Sequence, residues 1–436
     1  MNLLMTLFAI ILLFSLGYCL LEVFFNEKRR TFLAKLGISY GVGAGIISLY
    51  MFSLSVLGIK WNIVYLILPV ILSFIAYFIK NKELLRIRIN KPNLGRRDKL
   101  LVSLILITVI YVFFEASLRP LPSWDGWSSF YLEGKAFFLG DFVSPDIAKY
   151  SGTSIPPLVP LLIAFVYKII GYPDDKSSLL IFTFYYVSLL VVFFHALTAR
   201  IGRTYSLLFT FILCSVPNLI RHAGNVDVGH ADLIVSYYFF SSSVLLLDYF
   251  KNKSVKTLIL LQFFLAFGAF VKDEGLPFFL VCEIIILVYI LVKKMYSKFV
   301  YQIIGIGLVL LWTIYKIYSR IPTNPFFDNV PQLGRFSGII IAITKEFLNF
   351  QRWEIIWLLG TIVLLIKKPT DEIRYILILF LLQLSVYIGI YFTTPREPIA
   401  HIEGSFDRLL LQILPIFLFL TAISFRQLVL HKKRLH

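Results

Sequence analysis

The run "MNLLMTLFAIILLFSLGYCLLEVFF" (residues 1–25) leaves a chain few ways to fold, and similar apolar runs recur along the whole sequence. A helix rises 1.5 Å per residue, so about 20 apolar residues cross the roughly 30 Å hydrocarbon core of a bilayer. Of the 436 residues, 58% are hydrophobic and only 15% charged, where a soluble domain would carry about a quarter charged residues. The expected class is an all-α polytopic membrane protein. A β-barrel is excluded because the blocks are continuous and lack the ten-residue alternation of barrel strands.

The net charge of +17 does not imply nucleic acid, because the basic residues recur in short clusters between apolar runs, the pattern that orients membrane proteins. Cys19, Cys214 and Cys282 all fall inside apolar runs, which argues against a disulfide framework or a metal-thiolate site. The first run has no positive n-region, and its basic cluster Lys28, Arg29 and Arg30 comes after it. It reads as an uncleaved helix with its N-terminus outside.

Alternation predicts about 13 spans, near 1–25, 33–58, 61–79, 99–118, 177–199, 205–220, 233–250, 257–272, 276–292, 299–318, 353–366, 375–392 and 409–425. The block 155–171 carries Pro156, Pro157 and Pro160, which suit a helix start, and it is read as a re-entrant or interfacial helix. The expected organisation is 1–98 as N-terminal helices with a basic connector, 99–426 as the core, and 427–436 as a basic cytoplasmic tail. External loops then fall at 119–176, 221–232, 319–352 and 393–408, in the plasma membrane with the C-terminus inside.

Unusual polar groups gather on these external pieces. In "PSWDGWSSFYLEGKAFF" (122–138), Asp125 stands between Trp124 and Trp127, with Tyr131 and Lys135 beyond. A carboxylate beside a bilayer is costly without a partner or a purpose. Asp–Gly is also an ordinary turn signal, but aromatic faces flanking a carboxylate suit the apolar faces and hydroxyl edges of a sugar. "RHAGNVDVGHAD" (221–232) holds His222, Asp227, His230 and Asp232. These are donor types that suit zinc or manganese, without a standard zinc spacing. A weak site at Asp227, His230 and Asp232 is conceivable, but loop ordering and a polar cavity are favoured, and no metal or other cofactor is expected to be required.

Lys272, Asp273 and Glu274 separate two apolar stretches. They form a polar turn, and the lysine could also present its charge to a phosphate. Arg408, at the start of the last run, fits either lipid headgroups or a lipid-linked phosphate, with Arg396 and His401 on the same side.

Five segments in order resemble the GT-C membrane glycosyltransferases, specifically the bacterial glycosyltransferase-39-like and protein-mannosyltransferase-like members. They are the 122–138 motif, "YSGTSIPPLVPLLIAFVY" (150–167), "GNVDVGHADLIVSYYF" (224–239), "LAFGAFVKDEGLPFFL" (265–280) and "HIEGSFDRLLLQILP" (401–415). The resemblance implies a GT-C fold and a sugar donor on a polyprenyl phosphate. It places the base that activates the acceptor hydroxyl at Asp125 and the groups around the donor phosphate at Lys272 and Arg408. His230 and Asp232 would line the cavity, Glu274 and Arg396 would lie near the phosphate, and Lys135 matches a basic position of the loop motif. Glu133 and Asp273 stand where relatives often have lysine and asparagine. The acceptor is left open among lipid, glycan and protein. A lipid-linked glycan transporter or flippase, a non-catalytic partner, and a polymerase or ligase using a lipid diphosphate remain alternatives. For the last of these, Arg221, Arg335 and Arg352 would have to fold inward.

Overall fold

The computed structural model describes residues 2–25, 31–80, 94–147, 155–321, 333–367 and 371–434. The basic cluster 26–30, most of the connector 80–99, the polar loop 150–154 and part of loop 319–352 lie outside them. The described chain is helical nearly throughout, with no strand. Among the described residues, ten helices are long and apolar enough to cross a membrane, eleven if one bent pair counts as a single span.

Fewer spans than expected follow from three specific places. The predicted span 353–366 is an eleven-residue helix, Ile356–Ile366, only about 16 Å long. Val255–Val271 has seventeen residues, about 25 Å, just short of the hydrocarbon thickness. The predicted span 205–220 is broken into Arg203–Ser215 and Pro217–Gly224, bent by 66°. Proline disfavours the helical conformation in the residue before it, and Val216 is extended (ψ 121°) while Pro217 starts the next helix. A proline at the first helical position gives up a backbone donor that would have no partner there anyway.

The block 155–171 forms the helix Leu158–Ile170, in which every residue from Leu158 to Tyr167 is buried. It packs against Tyr131–Gly140 and the first two helices, so it is enclosed by protein and does not lie on a lipid surface. Burial in protein is what lets backbone at membrane depth depart from a full span.

The first two helices, Asn2–Phe24 and Phe32–Val56, meet through small residues. A Cβ placed on Gly43 would lie 1.8 Å from the Leu13 carbonyl oxygen, and one on Gly17 would lie 1.8 Å from that of Ser39. Only glycine permits this backbone approach, the small-residue packing typical of membrane helices. The Tyr237 and Tyr238 hydroxyls, from the helix Asp232–Asn252, donate to the Gly37 and Gly41 carbonyls at 2.9 and 2.8 Å. Buried hydroxyls need such acceptors, and these bonds tie the N-terminal helices into the core. The three cysteines are free and buried.

The last helix runs from Pro398 to Arg434, 37 residues or about 55 Å. The segment read from sequence as a loop up to residue 408 is therefore helical from Pro398 onward. Gly404, Arg408 and Gln412 follow at i, i+4 and i+8, so they share one face of this helix.

Candidate active site

Asp125 ends the first turn after the helix Arg96–Leu118 and is followed by a π-helical turn, Gly126–Phe130. Such widened turns recur at functional sites. The Ser123 hydroxyl donates to the Val228 carbonyl at 2.7 Å, which fastens this loop to the segment preceding His230. Gly229 sits at φ 104°, and a Cβ there would come 2.7 Å from Ser123 Oγ and 3.4 Å from the Gly126 Cα. Gly229→Ala therefore adds both backbone strain and a clash. We expect a stability loss of about 1–3 kcal/mol, read as a lower midpoint of thermal unfolding in detergent.

The Asp125 carboxylate accepts a hydrogen bond from the Arg408 guanidinium. One turn further along the last helix, Gln412 Nε2 donates to Asp232 Oδ1 at 2.6 Å. The same oxygen accepts from Lys272 Nζ at 2.9 Å, and Lys272 also pairs with Glu274 at 2.9 Å. Burial works against the Lys272 ammonium, but the carboxylates of Asp232 and Glu274 hold its pKa above the ordinary lysine value. Burial likewise pushes the Asp273 carboxyl up to about 6, against the pull of Lys316. Burial, reinforced by His222 and Arg408, lowers His230 to about 4. Asp227 is below the usual carboxylate range: burial raises it, but His222 and Arg221 together outweigh that effect.

Two cavities meet at this network. The larger, about 680 Å³, is walled by apolar residues including Leu276, Ile390 and Leu409, with Lys272, Arg396 and Arg408 among its charges. The Arg396 side chain has no ion pair among the described residues, while Glu397 beside it is taken by Arg335 at 3.1 Å. The smaller, about 380 Å³, is polar and lined by Trp124, Arg221, His222, Asp227, His230 and Asp407 among others. Asp125, Gly404 and Arg408 line both. A Cβ at Gly404 would meet nothing within 4 Å, so the space beside it is open.

Most of the expected site thus comes together. Asp125, Lys272, Glu274, Arg396 and Arg408 line the large cavity, and Trp124, Asp227 and His230 line the small one. Asp232 lies buried behind both, bonded to Lys272 and Gln412. Three residues are placed otherwise. Lys135 lines neither cavity and pairs with Asp175 at 2.6 Å. Tyr131 is fully buried and so offers no face for a sugar. Trp127 is half exposed, packed edge-on against Trp124 with ring centroids 4.2 Å apart, and lines neither cavity. Of the further arginines, Arg221 and Arg352 line the small cavity, while Arg335 lines neither and pairs with Glu397, a residue of the larger cavity's wall. Gln412 was not singled out from sequence; its place one turn after Arg408 was the available signal.

No family model and no curated protein sequence matches the chain. Among solved structures it is similar to ArnT from Cupriavidus metallidurans bound to undecaprenyl phosphate, at 11% identity and a TM-score of 0.51. The chain has the GT-C fold. The superposition covers 75% of this chain and 60% of ArnT, so the chain spans less than two thirds of that protein's length.

Proposed function

We propose that the protein is an integral-membrane inverting glycosyltransferase. It moves a monosaccharide from a polyprenyl-phosphate donor to an acceptor hydroxyl on the external face of the plasma membrane, with Asp125 as general base. The observation that carries this reading is the carboxylate shared by two unlike cavities. An apolar-walled cavity that also presents cations suits a lipid with an anionic head. A polar cavity beside an aromatic ring suits a hydroxylated acceptor. ArnT, which has the same fold, was solved with undecaprenyl phosphate bound, a ligand of the class the large cavity suits.

In this mechanism the donor phosphate lies against Lys272, Arg396 and Arg408, and its sugar reaches the shared wall. An acceptor hydroxyl in the polar cavity gives its proton to Asp125 and attacks the anomeric carbon from the face opposite the phosphate. The bond from that carbon to the phosphate oxygen breaks, and direct displacement inverts the centre. The charge left on the phosphate is held by the three cations, the kind of preorganised stabilisation that contributes most in a water-poor site. Arg408 is paired with Asp125. Turning toward a phosphate would leave the aspartate free to accept a proton.

Photo-crosslinking tests the placement. A polyprenyl phosphate carrying a photoactivatable group near the phosphate should label the peptides holding Leu276, Ile390 and Leu409, in competition with unmodified polyprenyl phosphate. Labelling confined to lipid-facing residues such as Leu106 and Ile314, insensitive to competition, would count against it.

A further inference from the structure

The segment 218–232 leaves several buried polar atoms without partners. His222 Nε2, both ring nitrogens of His230 and Asp232 Oδ2 bond to nothing among the described residues. His222 and Asp232 are completely buried. Buried polar atoms are paired in the great majority of cases, so four orphans on three side chains call for a reason.

Their geometry supplies one. His222, His230 and Asp232 each offer a ligand atom, all within 4.8 Å of one another. We propose that these three side chains bind a divalent transition-metal ion, with an open coordination position facing the polar cavity.

Each ligand is oriented for the task. His222 Nδ1 lies 3.0 Å from the Asn218 carbonyl, an oxygen that can only accept. The proton must therefore sit on Nδ1, which leaves the unpartnered Nε2 with a lone pair. An outer acceptor fixing the tautomer of a ligating histidine is a regular feature of metal sites. Asp232 is held through Oδ1 by Lys272 and Gln412, so its free Oδ2 is aimed and its charge retained. His230 follows the Gly229 turn and has both ring nitrogens unpartnered, so either can serve as the ligand. Ligands about 2.0–2.2 Å from a tetrahedral zinc stand roughly 3.4 Å apart, so binding would draw these atoms together by at most about 1.4 Å.

The donor set selects the ion. Two imidazoles and one carboxylate suit zinc and its first-row neighbours, whereas magnesium and calcium prefer oxygen alone. Three protein ligands with a vacant position are the pattern of catalytic rather than structural zinc sites. Lys272, Arg408 and Arg221 add positive charge nearby, but Asp125, Asp227, Asp232 and Glu274 balance it. Asp227, the third ligand expected from sequence, is engaged by Arg221 at 2.6 Å; the bend at Pro217 brings His222 into that role. Since His222 and His230 line the polar cavity, the open position would hold an acceptor oxygen on the far side of Asp125 from the donor. That last step rests on the proposed glycosyl transfer; the metal site itself does not.

The test is direct binding to the full chain, free of any affinity tag, in lipid nanodiscs after treatment with a chelator. The wild type should take up one equivalent of Zn²⁺ and develop the d–d absorption of a low-coordinate site with one equivalent of Co²⁺. His222→Ala and His230→Ala should each weaken binding by at least about 100-fold, beyond the 10–100-fold typical of outer partners. Asp125→Asn, which touches no ligand, should bind Zn²⁺ as the wild type does even where it transfers no sugar. Zn²⁺ but not Mg²⁺ should raise the wild-type melting temperature, a readout that needs no variant. Substoichiometric uptake by the wild type, wild-type affinity in either histidine variant, or no shift in melting temperature would overturn the proposal.

Discussion

Asp125→Asn should lower sugar transfer by about 10³-fold, within the 10²–10⁴-fold range that a positioned base contributes, while leaving donor affinity unchanged or tighter. The two halves of this expectation come from one contact. The Asp125 carboxylate is bonded to Arg408, so it competes with any phosphate for that guanidinium. Asparagine keeps the shape, cannot take the acceptor proton and holds Arg408 less firmly. The turnover number should therefore fall while the KM for donor does not rise. A merely structural aspartate would behave differently, with donor KM and thermal stability worsening together. Donor titrations at fixed acceptor, with the unfolding midpoint measured on the same preparation, separate the two.

The second large effect is expected at Lys272, through a partner it holds at depth. Lys272→Met removes a cation bonded to Asp232, whose side chain is 1% exposed. Breaking one side of a buried ion pair typically costs about 3–5 kcal/mol, because the remaining charge stays buried. Gln412 and Arg408 remain near Asp232, which puts the expected loss at the lower end, about 3 kcal/mol. Adding Asp232→Asn to Lys272→Met should restore most of that stability, since both charges are then gone. It should not restore transfer, because a cation facing the donor phosphate is still missing. Unfolding midpoints and transfer rates for the two single variants and the double variant form a cycle that measures the coupling. Additive stability effects would mean that the pair is not an energetic unit.

How much of this was legible in the sequence depended on the range of the interaction. Asp125, Lys272 and Arg408 could be singled out because each is a charge at the edge of an apolar run, where hydropathy makes it conspicuous. Their meeting could not be derived by spacing, since Arg408 reaches Asp125 across 283 positions and Lys272 reaches Asp232 across 40. The resemblance to a family supplied that expectation. Lys135 shows the opposite case. It is charged and close to the motif, yet its ammonium turns to Asp175, a contact that no local pattern announces.

Helix extent was misjudged where polarity and helicity part company. Residues 398–408 are rich in charge and read as a loop, but a helix can continue beyond the hydrocarbon with polar side chains. The span expected at 353–366 is shorter at its start, where Glu354, at φ 52°, ends the preceding turn and the helix begins only at Ile356. The 66° bend was signalled by Pro217, but not its consequence. It lays the short helix Pro217–Gly224 across the site and delivers His222 to His230.

The central claim is that this chain cleaves a sugar from a polyprenyl phosphate. The most direct measurement follows a radiolabelled polyprenyl phosphate sugar in proteoliposomes holding the isolated wild-type protein, with extracted lipids and glycans as acceptors. The account predicts that label leaves the lipid and appears in a new product of inverted anomeric configuration, with free polyprenyl phosphate formed in equal amount. Label that crosses the bilayer still attached to its lipid, with no product from any donor or acceptor supplied, would contradict the account and mark the protein as a carrier.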